Sequence, residues 1–233
     1  MAAVSISQEL LGNCRDSFYR ALPYVLTNNG VRFGVNGYAP HLLPAYISAV
    51  ASIEAFVNES LLSPMTLLPL KDSPFRKLGT DWLDKIDLRQ KVLVIPELLF
   101  GWTFDSSAQP YQDFCLLVKV RNDLTHYAFS QTNPRYVRSL KERGIFLYHD
   151  LERNSKIENP WAQDASCTEG IRWAHNVVCD IATKIIENAK DSASIAWNLA
   201  NFTRIPDTYV PNFLRTNGID PTSNFPNTAT PLP

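Results

Sequence analysis

Neither sign of charge is in excess in this 233-residue chain: 22 Lys+Arg face 23 Asp+Glu, for a formal net charge of −1. A protein that wraps nucleic acid over a wide surface needs surplus cations to displace counterions, so that class is excluded. A small local site for an anionic substrate stays open. Glycine is scarce as well, at nine residues against sixteen prolines. Barrels and hairpins need positive-φ positions at many turns, which argues against a β architecture. The four cysteines, Cys14, Cys115, Cys167 and Cys179, form no CxxC pair and read as packed, reduced thiols. The four histidines, His41, His126, His149 and His175, fall at no metal-ligand spacing with one another or with cysteine. No metal and no cofactor are therefore expected. The longest uncharged apolar stretch, about residues 41–53, is too short to span a bilayer. The first residues also lack the basic and apolar regions of a signal peptide. The expected compartment is the cytoplasm, with no membrane partner.

Apolar residues at 45% and charged residues at 19% are enough for a sizeable core. Their spacing is helical. Leu10, Leu11, Cys14, Phe18, Ala21, Leu22 and Val25 recur at three and four residues over about 7–26. A second helix is expected from Pro40 or Pro44 to Leu62, with Tyr46, Ala49, Val50, Ile53, Phe56 and Val57 on its core face. Residues 65–86 read as an irregular crossover. A third helix opens at Asp87, with a reciprocal cap between Asp87 and Gln90, and runs to about Phe100 with a kink at Pro96. A fourth is expected from Pro110 to about Phe129, a short one from Asn133 to Gly144, and a long one over about 166–190. Ile145–Tyr148 is the one strand candidate. The fold class expected is all-α, an up-and-down bundle of about five to seven helices. Residues 1–36 form an N-terminal helix and connection, and 37–204 the main helical domain. Residues 205–233, with six prolines, form an extended tail that packs on the body or a partner, or stays disordered.

The fourth helix carries the unusual feature. At about 100° per residue, Phe114, Leu117, Val118, Leu124, Ala128 and Phe129 share one arc, and Arg121 lands near its centre. A guanidinium on an apolar face needs a carboxylate, a phosphate or a route to water, because burying it alone is expensive. Lys119, Asn122, Asp123 and His126 take the polar side, with Asn122 and His126 one turn apart. Glu54, at the border of the second helix's core face, is the candidate partner that would orient Arg121. The bland alternative is an ion pair that only fixes helix register. The functional one is an anion-binding Arg beside imidazole, the side chain that titrates nearest neutrality.

The stretch Val120-Arg121-Asn122-Asp123-Leu124-Thr125-His126-Tyr127 resembles the signature of the HEPN superfamily, an Arg and a polar residue ahead of a His by four to six intervening positions. Arg143 and His149 satisfy the spacing too, but Gly144 and Ile145–Tyr148 intervene and leave them no common helix. The flanks of the first match, residues 110–119, the helix 48–59 and the segment 91–101 are similar to a group of bacterial HEPN-like proteins. The resemblance covers about residues 40–190. It implies a homodimer that joins two Arg…His motifs in one cleft and cleaves RNA without a metal. In that reading Arg121 binds the scissile phosphate, and His126 serves as general base or acid with its dimer mate in the other role. Asn122 positions the imidazole or a phosphate oxygen, Glu54 holds Arg121, and Lys119 adds positive potential. Two alternatives stand beside it: a HEPN-like module that binds RNA, nucleotide or protein without cleaving, and a toxin–antitoxin or antiphage component held by a partner protein. His41 and His175 are expected to be surface or helix-edge residues, and the five tryptophans scattered packing residues.

Overall fold

A computed structural model of the chain describes residues 5–27, 42–62, 85–126, 134–146, 161–189 and 202–216. Every regular element among them is helical: α1 (Ile6–Thr27), α2 (Leu42–Leu62), α3 (Leu88–Phe100), α4 (Tyr111–Thr125), α5 (Arg135–Glu142), α6 (Trp161–Ala165), α7 (Thr168–Glu187) and α8 (Tyr209–Thr216). The all-α expectation holds. The six expected helices are present, joined by the short α6 and α8, for which periodicity over so few residues carries little signal. The candidate crossover at 65–86 lies almost wholly outside the described residues.

The stripe on α1 buries Leu11, Cys14, Phe18, Ala21 and Leu22, and all six residues of the α2 core face are buried. The two stripes face each other, and α7 packs against both. At one end the Glu59 carboxylate accepts hydrogen bonds from Ser5 Oγ (2.8 Å), Ser7 Oγ (2.7 Å) and Ser7 N (3.2 Å). The end of α2 thus caps the start of α1, where negative charge is favoured, and the pair runs antiparallel. On the other side α4 packs on α2 and α7, and α3 lies across α2 and α4.

Helix ends differ from expectation in instructive ways. Asp87 caps α3 through the amide of Arg89 (2.9 Å), and the side chain that returns to it is Arg89 at 2.8 Å, not Gln90. The helix passes through Pro96 to Gly101, which closes it at φ +66° with its N–H on Glu97 O (3.0 Å). Residues 145–146 are no strand. Their amides bond the Leu140 carbonyl at 2.9 and 3.2 Å across Gly144 at φ +68°, which makes them the C-terminal closure of α5.

The long C-terminal helix is broken by a cap. Cys167 precedes α7 and its Sγ accepts from the Gly170 amide at 3.3 Å, while α6 is a separate turn before it. Gly170 is required here because α2 crosses closely. The Tyr46 hydroxyl donates to Ala165 O at 2.8 Å, and a methyl group on residue 170 would overlap that hydroxyl. Gly170→Ala is expected to destabilise the fold by roughly 2–3 kcal/mol, from overpacking and a lost buried hydrogen bond, read as a lower urea midpoint.

The start of the proline-rich tail packs on the body. Asn176 of α7 receives Ile205 N–H on Oδ1 (2.8 Å) and donates Nδ2 to Ile205 O (2.9 Å). Arg204 pairs with Asp180, Arg172 pairs with Asp207, and Phe202 meets Phe56 edge-on at 5.1 Å. Residues 202–206 form no regular element and a turn at 207–208 leads into α8; residues 217–233 lie outside the described ones.

His175 is not on a polar edge: it is 1% exposed, next to the Asn176 that holds Ile205. Its Nδ1 faces Asn176 Oδ1 at 3.4 Å and Cys179 Sγ at 3.6 Å. Burial holds the imidazole down to about 4; the Asn176 contact opposes the shift and the Arg15 charge adds to it. The unfolded imidazole takes its proton near 6.5, so below that pH the unfolded chain binds more protons and folding weakens. The stability is whole above pH 6.5 and is lost progressively toward pH 4. Between pH 7 and 5 the expected loss is about 2 kcal/mol by linkage. Urea midpoints of wild type and His175→Gln at the two pH values check this; equal losses in both would refute it.

Candidate functional site

Of the expected α4 arc, Phe114, Leu117, Val118 and Leu124 are buried, while Ala128 and Phe129 lie outside the described residues. Val120 is buried as well, and Arg121 sits among them, half-buried. Its Nε is fully buried and has no hydrogen-bond partner among the described residues. Its charge reaches the start of α3. The Asp87 carboxyl is held below its ordinary range chiefly by the hydrogen bond from Arg89, with Arg121 lowering it further.

The polar side of α4 is divided by α5. Tyr136 of α5 donates its hydroxyl to Asp123 Oδ2 at 2.8 Å, and Lys119 Nζ stands 5.3 Å from the Tyr136 ring centroid. Burial, then the bond to Asp123, push the Tyr136 phenol up, so it stays a donor. Asn122 and His126 are left exposed on the next strip. His126 ends the helix, with its backbone N–H on Asn122 O at 3.0 Å, and Thr125 Oγ1 donates to the Arg121 carbonyl. One turn thus presents an inward guanidinium and an outward amide and imidazole, while Asp123 and Lys119 are engaged by α5.

Glu54 has a different partner from the one expected. Although α2 and α4 pack together, no ion pair or hydrogen bond joins Glu54 to Arg121 among the described residues. Glu54 Oε1 instead faces Lys91 Nζ of α3 at 4.0 Å. The same ammonium donates to Asn58 Oδ1 at 3.4 Å. Lys91 was legible by the reasoning that finds Arg121: it shares the apolar stripe of Leu88, Val92, Ile95 and Leu99, and a cation there calls for an anion. Asn58, a helix-surface amide, gives no such signal.

The competing Arg143 has a structural task. It grips Asp113 with two hydrogen bonds of 2.7 and 2.8 Å and so ties the end of α5 to the start of α4. His149 lies outside the described residues, as do His41, Trp82 and Trp197. Trp161 and Trp173 are core residues and Trp102 packs edge-on to Phe104 at 4.7 Å. The cysteines are free thiols, and burial pushes Cys14 and Cys179 up, away from thiolate chemistry. Among the described residues no group of three His, Cys, Asp or Glu could hold a metal ion, and no helix is long and apolar enough to cross a membrane.

Chemically the turn can bind an oxyanion at Arg121 and exchange a proton at His126. A single chain supplies one imidazole, whereas a phosphodiester cleavage with both a base and an acid uses two such groups. Comparison with protein families, with curated proteins and with solved structures finds no match for this chain.

Proposed function

We propose that the chain is a HEPN-like endoribonuclease that cleaves RNA by attack of the ribose 2′-hydroxyl, at a composite site formed by two copies of α4. The observation that carries this reading is Arg121: a cation set in an apolar face, its buried Nε without a partner among the described residues, about a turn and a half from the exposed His126. A guanidinium kept for the fold alone would be expected to place its buried N–H on an acceptor, since an unsatisfied buried donor costs stability.

In the mechanism His126 of one copy takes the 2′-OH proton. The 2′ oxygen then attacks phosphorus, and Arg121 stabilises the charge that builds on the equatorial oxygens. His126 of the other copy protonates the departing 5′ oxygen as the P–O5′ bond breaks. The products are a 2′,3′-cyclic phosphate and a 5′-hydroxyl. The nucleophile belongs to the RNA, so no step calls for a metal-bound water. Asn122, exposed beside His126, orients the imidazole or a phosphate oxygen. Lys119, held over Tyr136, adds positive potential at the rim.

The test is RNA cleavage by the purified chain in chelator, with end-group analysis. Wild type is expected to give cyclic-phosphate and 5′-hydroxyl ends and to fail on RNA with a 2′-deoxy scissile nucleotide. Equal residual cleavage by wild type, Arg121→Ala and His126→Ala would overturn the reading. Sedimentation at assay concentration is expected to show a dimer.

A further inference from the structure

Arg121 is not the only cation short of acceptors. The side chain of Lys91 is 4% exposed, in the first turn of α3 and turned toward α2. An ammonium has three N–H groups to satisfy. Among the described residues it finds one oxygen at the outer limit of a hydrogen bond, Asn58 Oδ1 at 3.4 Å, and one at ion-pair range only, Glu54 Oε1 at 4.0 Å. Burying an ammonium is worth several kcal/mol against folding unless close acceptors offset it, and these contacts are long. Its four-carbon stem would reach water if the position served packing alone, as lysines at apolar edges do.

Lys91 and Arg121 stand on helices that pack on each other and on α2, at the junction of α2, α3 and α4. Glu54, half-exposed, is able to swing to solvent when a better acceptor arrives. We propose that Lys91 is a second phosphate-binding group at the α2–α3–α4 junction, taking an oxyanion of the RNA backbone next to the one held by Arg121. Glu54 is its resting counter-ion and competes with the RNA. The inference rests on the ribonuclease reading for the identity of the anion, and goes beyond it by assigning the residue.

The probe is a 2′-O-methyl oligoribonucleotide, which binds without being cleaved, followed by anisotropy against salt. Lys91→Gln is expected to weaken binding roughly tenfold whatever the sequence, and to lower the salt slope by about 0.7, the loss of one phosphate contact on a single strand. Glu54→Gln is expected to tighten binding, which a merely structural Lys91–Glu54 tie would not do. In wild-type protein the 15N signal of the Lys91 ammonium is expected to shift and saturate with the oligonucleotide at concentrations where inorganic phosphate moves nothing. This measurement decides the matter if Lys91→Gln fails to fold. An unmoved ammonium signal, or an unchanged salt slope in folded Lys91→Gln, would overturn the assignment even if wild type cleaves RNA. Loss of binding in Lys91→Gln with no cleavage by wild type would keep Lys91 as a phosphate group and remove the nuclease reading alone.

Discussion

Replacing Arg121 by leucine is expected to slow RNA cleavage by roughly 10²–10³-fold while leaving the fold at least as stable as before. The two effects have one cause. Arg121 stands on the apolar arc of α4 among Phe114, Leu117, Val118 and Leu124, and its buried Nε has no partner among the described residues. Leucine removes that unsatisfied group and fills the same space with hydrocarbon, a change that is often neutral or stabilising. It also removes the donor that the proposed mechanism assigns to the transition-state oxyanion, an expected loss of roughly 10²–10³-fold in rate. His126→Ala makes the complementary case. The imidazole is exposed at the helix end, so stability is expected to move by no more than about 0.5 kcal/mol. Removal of the proton-transfer group is expected to lower the rate by roughly 10²–10⁴-fold. Single-turnover rates and urea midpoints of the two variants check both halves. An Arg121→Leu protein that cleaves like wild type would discard the mechanism. One that unfolds would show the guanidinium to be a structural group.

The second large effect is expected away from the site. Lys141 of α5 reaches Asp164 of α6 at 2.6 Å; the carboxylate side chain is 2% exposed and the lysine 18%. The pair is asymmetric, and the predictions follow from that. Lys141→Met takes a cation at 2.6 Å from a carboxylate that is 2% exposed, and is expected to destabilise the fold by roughly 3–5 kcal/mol. Asp164→Asn leaves an ammonium whose stem can extend to solvent and an amide of the same shape, so its effect is expected to be well under half as large. Urea unfolding of the two variants settles the order, and a larger loss in Asp164→Asn would contradict it. Lys141→Met is also expected to slow cleavage. The helix it anchors carries Tyr136, whose hydroxyl holds Asp123 one turn before His126.

Much of this architecture is legible in the chain. The α2 stripe of Tyr46, Ala49, Val50, Ile53, Phe56 and Val57 is buried throughout, because three-and-four spacing puts those side chains on one side of any helix they form. The placement of Arg121 on an apolar arc follows from the same geometry. The short α6 is harder to read: five residues complete little more than one turn, and its separation from α7 depends on the Cys167 cap. His175 deceives because α7 is buried on nearly every side: α1 and α2 pack on it, and Ile205, nearly thirty positions further on, bonds Asn176 beside it. Gly170 shows no peculiarity in its own neighbourhood, since its requirement comes from Tyr46 on a distant helix.

Periodicity and composition alone establish an all-α chain, reduced thiols, a nearly neutral surface and one misplaced guanidinium near a histidine. These are properties of short windows, and the physics that sets them acts within a few turns. Partnership is a different matter. Glu54 meets Lys91 and not Arg121, Arg143 grips Asp113, and Asp123 is taken by Tyr136 while His126 is left to solvent. Each outcome depends on how helices from separate parts of the chain cross, and a shift of a few ångströms changes which charge an ammonium or guanidinium can reach. Only the packed bundle decides that, and among the described residues it leaves Arg121 Nε without an acceptor.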